Sequence, residues 1–264
     1  MSSTKHHWRI SMYLKASDIT RYRREGFLKV PQVLAPAETA GFLEEAAAML
    51  SRNKTLHWPS GEGLVMDWVP DAERESAIMR RLALHPVITG IAEELAGRSL
   101  RLFKSELLRK ESTGSTATPP HIDEFALPIS GAPVTLTAWV ALVDIPEERG
   151  CMSFWPGSHR VKGADEEQDL ASHPELMFLP RVTLPLRAGD CTFHHARTVH
   201  SAYANETHTT RISLATVYME AGARFEPRTF YGNGLNDDLS RHLATMQAGQ
   251  ELSGDRFPKI RWKD

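Results

Sequence analysis

The spacing of apolar residues changes along the chain, and the change predicts two kinds of secondary structure. In the first hundred residues, apolar positions recur mostly at the 3.6-residue period of a helix. The clearest helix is predicted from Pro36 to Leu50, and a shorter one is predicted to end at Gly26. Two more are predicted over residues 71–84 and 86–96, with Gly97 ending the second. The N-terminal part is therefore expected to be mainly helical.

From about Leu100 to Glu220 the pattern shortens to alternating or β-branched runs between glycine, proline and aspartate. These runs predict strands over residues 100–109, 120–128, 133–143, 151–156, 181–187, 190–195, 198–203 and 210–220. Many short strands between turn residues are typical of a sandwich or a barrel. We therefore expect a mainly β fold with flanking helices, in one domain over residues 1–264. Residues of about 1–99 and 235–250 would support a β core of about 100–220.

The composition excludes several classes of function. The chain has 264 residues, and its formal charge of −2 offers no basic surface for nucleic acid or anionic membranes. Apolar runs such as Ala138–Val143 are too short to span a bilayer, and Met1–Ile10 has no signal-peptide core. Cys151 and Cys191 are expected to be buried thiols of a reduced cytosol. We expect a cytoplasmic monomer or homodimer with a small-molecule substrate.

The triplet His121-Ile122-Asp123 is the first group of residues with potential chemistry. Residues two apart in a strand project from the same face, so the imidazole and the carboxylate would reach the same point. His200 is the best candidate for a third ligand, and His195 is the alternative. Two imidazoles and one carboxylate leave three positions of an iron open, as in mononuclear non-haem Fe(II) oxygenases. The sequence thus predicts one Fe(II) bound by His121, Asp123 and His200.

Arg211 follows His200 by eleven residues and begins an alternating strand. On one face of that strand, Arg211 and Ser213 are followed by Ala215 and Val217. A planar guanidinium with a hydroxyl two residues away makes a good clamp for a carboxylate. A buried arginine without such a partner is costly, so the arrangement predicts a bound anion. The alternative is an arginine that lies at the surface where a strand begins.

These residues belong to a longer series of motifs that resembles a known family. The series is His121-x-Asp123, Thr137-Ala-Trp139, Gly150, Trp155-Pro-Gly-Ser-His159, Gly189-Asp190, His200 and Arg211-Ile-Ser213. In this order it resembles the phytanoyl-CoA dioxygenase family of Fe(II)/2-oxoglutarate oxygenases, over about residues 100–220. The resemblance implies a double-stranded β-helix, or jelly-roll, with the metal at its open mouth.

The resemblance also implies what the site holds. Fe(II) would be chelated by 2-oxoglutarate and would react with O₂, while the far carboxylate of 2-oxoglutarate pairs with Arg211. Thr137 and Trp139 would lie beside the cosubstrate, although Trp139 is equally consistent with ordinary core packing. Ala202 occupies a position where family members can offer a hydroxyl, so Ser213 or Ser201 is expected to complete the clamp.

The predicted triad leaves the outcome of the reaction open. Hydroxylation, desaturation, cyclisation and epimerisation all begin with removal of a hydrogen atom from a C–H bond. An aromatic wall is predicted around a small, largely apolar metabolite, from Trp58, Trp68, Phe125, Phe225 and Tyr231. Secondary-metabolite biosynthesis is favoured over fatty acyl-CoA oxidation, because no basic cluster is present for coenzyme A phosphates. The alternatives are a phytanoyl-CoA-like acyl hydroxylase, a metal jelly-roll enzyme independent of 2-oxoglutarate, and an inert binding protein.

Overall fold

The computed structural model describes residues 13–60, 63–112, 114–131, 134–161, 173–228 and 237–260. The helices are α1 (Ala16–Glu25), α2 (Pro36–Arg52), α3 (Ala72–Glu75), α4 (Ala77–Ala83), α5 (Pro86–Ala96) and α6 (Asp238–Leu243). The strands are β1 (Phe27–Val30), β2 (Leu56–Ser60), β3 (Gly63–Pro70), β4 (Leu100–Lys110), β5 (Thr118–His121), β6 (Ile129–Ser130), β7 (Thr135–Ala141), β8 (Met152–Phe154), β9 (Val182–Leu184), β10 (Cys191–His195), β11 (His200–Ala202), β12 (Arg211–Glu220) and β13 (Arg224–Phe225).

Most of the strands belong to two antiparallel sheets. The larger has the order β1-β10-β7-β12-β4-β3-β2, and the smaller has the order β5-β11-β8-β9. Leu108 and Trp139 from the larger sheet share one apolar cluster with Met152 and Phe154 from the smaller. Because the two sheets bury a common layer, they have the arrangement of a jelly-roll. The predicted mainly β core with flanking helices is confirmed.

The other face of the larger sheet is covered by helices from the N-terminal part. Val140 of β7 and Leu214 of β12 pack in one cluster with Met49 of α2, Met79 of α4 and Ile91 of α5. Alternate residues of a strand project to opposite sheet faces. The helices therefore support one face of β7 and β12, and the other face is available to line the interior between the sheets.

The N-terminal part is less helical than the sequence predicted. β2 and β3 form a hairpin, and β3 extends the larger sheet by pairing with β4. The side chains of β3 alternate in burial, which is the period of a half-buried strand rather than of a helix. The helix predicted over residues 71–84 is also divided, because Ser76 is extended and its hydroxyl accepts hydrogen bonds from the first turn of α4.

The structure also bears on the predictions for the cysteines, the C-terminal segment and membrane-spanning helices. The two cysteines are buried and unpaired, as expected. Of the predicted C-terminal support over residues 235–250, Asp238–Leu243 forms the short helix α6, and residues 235 and 236 lie outside the described part. In that part of the chain, no helix combines the length and apolarity that a membrane crossing requires. Because both termini lie outside it, the single domain over residues 1–264 stays a prediction.

Candidate active site

Three side chains with metal-ligating atoms meet between the two sheets. His121 ends β5, His200 begins β11, and the two are paired directly across these strands. Asp123 opens a short 3-10 turn that follows β5. One ligand atom from each residue lies within 4.8 Å of the other two. In the described residues, this is the one group of three histidine, cysteine or acidic side chains at such spacing.

Backbone carbonyls orient both imidazoles toward the same point. The Nδ1 atoms of His121 and His200 each lie 2.9 Å from a carbonyl oxygen, of Pro119 and Thr198 respectively. An Nδ1–H that donates to a carbonyl leaves the Nε2 lone pair available to a metal. Burial, with His121 nearby, lowers the pKa of His200 to about 3, so this ring is neutral as a ligand must be.

The Asp123 carboxylate is held by two side chains on its outer oxygen. Thr137 Oγ1 donates to Oδ2 at 2.7 Å, and His194 Nε2 lies 3.2 Å from the same oxygen. The other oxygen, Oδ1, lies 3.5 Å from His200 Nε2 and 3.9 Å from His121 Nε2. Burial acts to raise the pKa of Asp123, but the surrounding histidines bring it well below its usual range. One oxygen of an ionised carboxylate therefore faces the two imidazoles.

One detail of this group differs from the sequence-based expectation, and one alternative ligand is removed. Asp123 does not lie in a strand, but the extended backbone of Ile122 keeps its side chain on the same side as that of His121. His195, the alternative third ligand, lies on the other face of β10. Its Nδ1 accepts a hydrogen bond from the backbone of Arg197, while the preceding His194 faces Asp123.

Arg211 lies at one end of the same interior, which we call the inner end. Its guanidinium is 2% exposed, donates from Nη1 to the Gly150 carbonyl at 3.0 Å, and lies 5.2 Å from the centre of the Trp139 ring. Arg211 Nε and Ser213 Oγ are buried without a hydrogen-bond partner in the described part of the chain. Burial lowers the pKa of Arg211 to about 10, which still leaves it charged near pH 7. A charged guanidinium with an unfilled donor beside a hydroxyl fits a carboxylate ligand.

Lys110 is the residue directly opposite Arg211 on β4. It is fully buried, and its Nζ donates to the carbonyls of Val65 at 2.9 Å and Thr116 at 2.6 Å. Burial, with Arg211 nearby, lowers the pKa of Lys110 to about 6. The amine is therefore largely neutral at pH 7, and Arg211 supplies the positive charge for an anion at the inner end.

A cavity of about 620 Å³ connects Arg211 with the His121, Asp123 and His200 group and continues outward. Thr137, Trp139 and Ser201 also line it. Three of the residues predicted to form an aromatic wall, Trp58, Trp68 and Phe125, line it as well. Phe225 instead packs in a separate apolar cluster, and Tyr231 lies outside the described residues.

Sequence reasoning did not assign several of the residues around this cavity. His194 was one of several histidines without a role, yet it contacts Asp123. Its alternation with the apolar residues Phe193 and Cys191 is a signal that it projects toward the interior. Lys104 and Glu106 of β4 also line the cavity and were not identified. Their signal was two charged residues at alternate positions in the middle of a leucine-rich strand.

The phytanoyl-CoA dioxygenase (PhyH) family model matches residues 22–213, which is well over half of the chain. Among characterised sequences, the dioxygenase lolE1 of Epichloe uncinata is 26% identical over 221 residues, covering 78% of this chain and 82% of its own. The residues that the family model matches include His121, Asp123, His200 and Arg211.

Two solved structures are considerably more similar. SnoN, a non-heme alpha ketoglutarate dependent epimerase from nogalamycin biosynthesis, is 49% identical with a TM-score of 0.85, and the match covers 93% of this chain and 97% of that one. SnoK, a non-heme alpha ketoglutarate dependent carbocyclase from nogalamycin biosynthesis, is 38% identical with a TM-score of 0.86, covering 94% and 97%. A second SnoN structure contains Fe3+, alpha ketoglutarate (2-oxoglutarate) and nogalamycin RO. The chain therefore belongs to the phytanoyl-CoA dioxygenase family and is an iron- and 2-oxoglutarate-dependent enzyme.

Proposed function

We propose that this enzyme alters one C–H bond of a nogalamycin-like antibiotic intermediate, with inversion of configuration as the outcome. The observation that carries the proposal is the 49% identity with the epimerase SnoN over nearly the whole of both chains. Ring closure is the second candidate, because the carbocyclase SnoK has an almost equal TM-score at 38% identity. Both reactions begin with removal of a hydrogen atom from carbon.

In this proposal, His121, Asp123 and His200 bind Fe(II). When bound, iron with 2-oxoglutarate and O₂ would supply the oxidant that removes the hydrogen atom. The imidazoles of His121 and His200 present Nε2, and Thr137 with His194 holds Asp123 so that one oxygen faces the metal. The presence of Asp123 argues against halogenation, since a halogenase needs a small residue there to make room for chloride.

Arg211 is proposed to bind the far carboxylate of 2-oxoglutarate at the inner end. Arg211 Nε and Ser213 Oγ, which lack a hydrogen-bond partner among the described residues, support this role. Trp139 lies against the guanidinium and would limit the access of water to the pair. These groups would fix the cosubstrate at one end of the cavity and leave the remainder to the substrate.

The outer part of the cavity supports a bulky, largely apolar substrate. It is lined mostly by apolar and aromatic side chains, with the metal-ligating group at its base. A cavity of this volume is in the ordinary range for small-molecule sites. An acyl-CoA substrate is less favoured, because the sequence has no cluster of basic residues for the phosphates of coenzyme A. Cytoplasmic location and the monomeric or homodimeric state remain predictions.

The test is turnover of nogalamycin RO with Fe(II), 2-oxoglutarate and O₂, followed by mass spectrometry and succinate release. We expect a product of unchanged mass and altered retention, formed together with succinate. A product lighter by two hydrogens would indicate ring closure, and one heavier by an oxygen would indicate hydroxylation. If nogalamycin RO neither stimulates succinate release nor changes, the proposed substrate class is contradicted.

A further inference from the structure

The inward face of β4 carries a charged pair in the outer part of the cavity. Lys104 Nζ and Glu106 Oε1 lie 2.8 Å apart, and both residues line the cavity. Both side chains are mostly buried, at 14% and 26% exposed respectively. On the same face of the strand, Leu108 and then Lys110 lead toward the inner end. Glu106 lies four residues before Lys110, the partner of Arg211, so about 13 Å of extended strand separates the pair from that position.

Strand register places the pair at the level of the metal-ligating group. Lys104 is paired with Val217 on β12, and Val217 is paired in turn with Thr137 on β7. Thr137 donates a hydrogen bond to the Asp123 carboxylate. Lys104 therefore lies in the same row of the larger sheet as the residue that orients this predicted metal ligand. Two interstrand spacings separate Lys104 from Thr137, which is a distance of about 10 Å.

Glu106 lies in the neighbouring row. It is paired with Ala215, and Ala215 is paired with Trp139. The side chains between the pair and the metal in these two rows are therefore small or apolar. A substrate held above Ala215 and Val217 would have the metal on one side and the charged pair on the other.

A mostly buried ion pair in an apolar cavity is costly to form, because both charges lose water. Lys104 supplies one hydrogen bond to Glu106, while a carboxylate accepts up to about four. The Glu106 carboxylate thus keeps hydrogen-bonding capacity that an apolar substrate could not use. A group that both donates and accepts, such as a hydroxyl, can bond to both members at once.

We propose that Lys104 and Glu106 bind a hydroxyl group of the substrate, which donates to Glu106 and accepts from Lys104. This specificity role rests on the proposed function, since it presumes an oxidised small molecule in the outer cavity. Bound at this pair, the hydroxyl would fix which carbon lies against the metal. The pair would thereby choose the C–H bond that the enzyme attacks.

The test compares Glu106→Gln, Lys104→Met and the double variant Lys104→Met/Glu106→Leu with the wild-type holoenzyme, using nogalamycin RO as the probe. Loss of hydrogen bonds to charged groups should raise the KM for the probe roughly 10- to 100-fold. More succinate should form per molecule of product, because a displaced substrate is attacked less often. The dissociation constant of 2-oxoglutarate should not rise in parallel. Arg98→Met, which removes a surface pair with Glu220 at 2.9 Å, is the matched control and should retain the wild-type values.

A purely structural ion pair would give a different result. In that case the double variant would lose thermal stability, while its KM and its ratio of succinate to product would match those of the wild type. This outcome would overturn the proposal and leave the proposed function intact. A wild-type enzyme that nogalamycin RO does not stimulate would instead contradict the proposed function, and the hydroxyl contact with it.

Discussion

The inner and outer parts of the cavity are built differently. At the inner part, which comprises the metal-ligating group and Arg211, partners orient key polar side chains: Thr137 donates to Asp123 at 2.7 Å, and Arg211 donates to the Gly150 carbonyl at 3.0 Å. The outer part is lined by large apolar side chains such as Trp58 and Phe125, with Lys104 and Glu106 as its charged pair. The inner part needs fixed geometry, because iron and 2-oxoglutarate have fixed ligand requirements. The outer part can vary with the substrate without disturbing the chemistry.

This contrast predicts that substitutions at the inner part abolish the reaction itself. Asp123→Ala should cause the largest loss of succinate release. Removing the carboxylate leaves two imidazoles to bind Fe(II), so we expect succinate release to fall by roughly a thousandfold or more. His195→Ala is the matched control, because that ring faces away from the group. If Asp123→Ala retained a tenth of the wild-type rate, the assigned ligand set would be wrong.

Substitution of Arg211 should be next in size. Arg211→Ala removes the charge at the inner end, and the dissociation constant of 2-oxoglutarate should rise roughly 100-fold or more. Arg211→Lys keeps the charge without the planar fork and should recover only part of the affinity. Anaerobic titration with 2-oxoglutarate measures the dissociation constant in each of the two variants. Unchanged affinity in Arg211→Ala would favour a metal enzyme that does not use 2-oxoglutarate.

Thr137→Val tests whether the partners of Asp123 matter beyond packing. The change removes one hydroxyl and keeps the shape, so we expect Fe(II) affinity to fall roughly 10- to 100-fold. Thr192→Val is the matched control on the adjacent strand β10. Its hydroxyl is buried without a partner in the described part of the chain, so losing it should cost nothing in Fe(II) affinity. Equal Fe(II) affinities in the two variants would remove the orienting role of Thr137.

The smallest effect is expected at Gly150, whose carbonyl accepts from Arg211. Gly150 has a φ of +81°, and an added Cβ would lie 2.8 Å from the Tyr203 carbonyl oxygen. Gly150→Ala should therefore lower the free energy of unfolding by about 1–3 kcal/mol and weaken 2-oxoglutarate binding. Gly222→Ala, where a Cβ would meet nothing within 4 Å, should change neither. Urea unfolding of both variants checks this.

The same contrast explains which parts could be predicted from the sequence. His121, Asp123, His200 and Arg211 were identifiable because the spacing of such ligands is constrained by the metal and the cosubstrate. Their assigned roles remain predictions until a bound metal is observed.

The structural features that could not be predicted from the sequence have physical reasons. The β2–β3 hairpin was missed because its strand period is weak beside the strong helical period on either side. Lys104 and Glu106 were missed because charged residues in a strand usually face solvent, and only the pairing of β4 with β12 turns them inward. The outer wall of the cavity is assembled from distant segments, so local sequence patterns carry little information about it.

The central claim is that His121, Asp123, His200 and Arg211 form one site for Fe(II) and 2-oxoglutarate. The most direct test is anaerobic addition of Fe(II) and 2-oxoglutarate to the wild-type protein, to His121→Ala and to Asp123→Ala, followed by visible absorption. We expect a metal-to-ligand charge-transfer band in the wild type that is missing from both variants. A wild type without the band, or a variant that retains it at full intensity, would contradict the account.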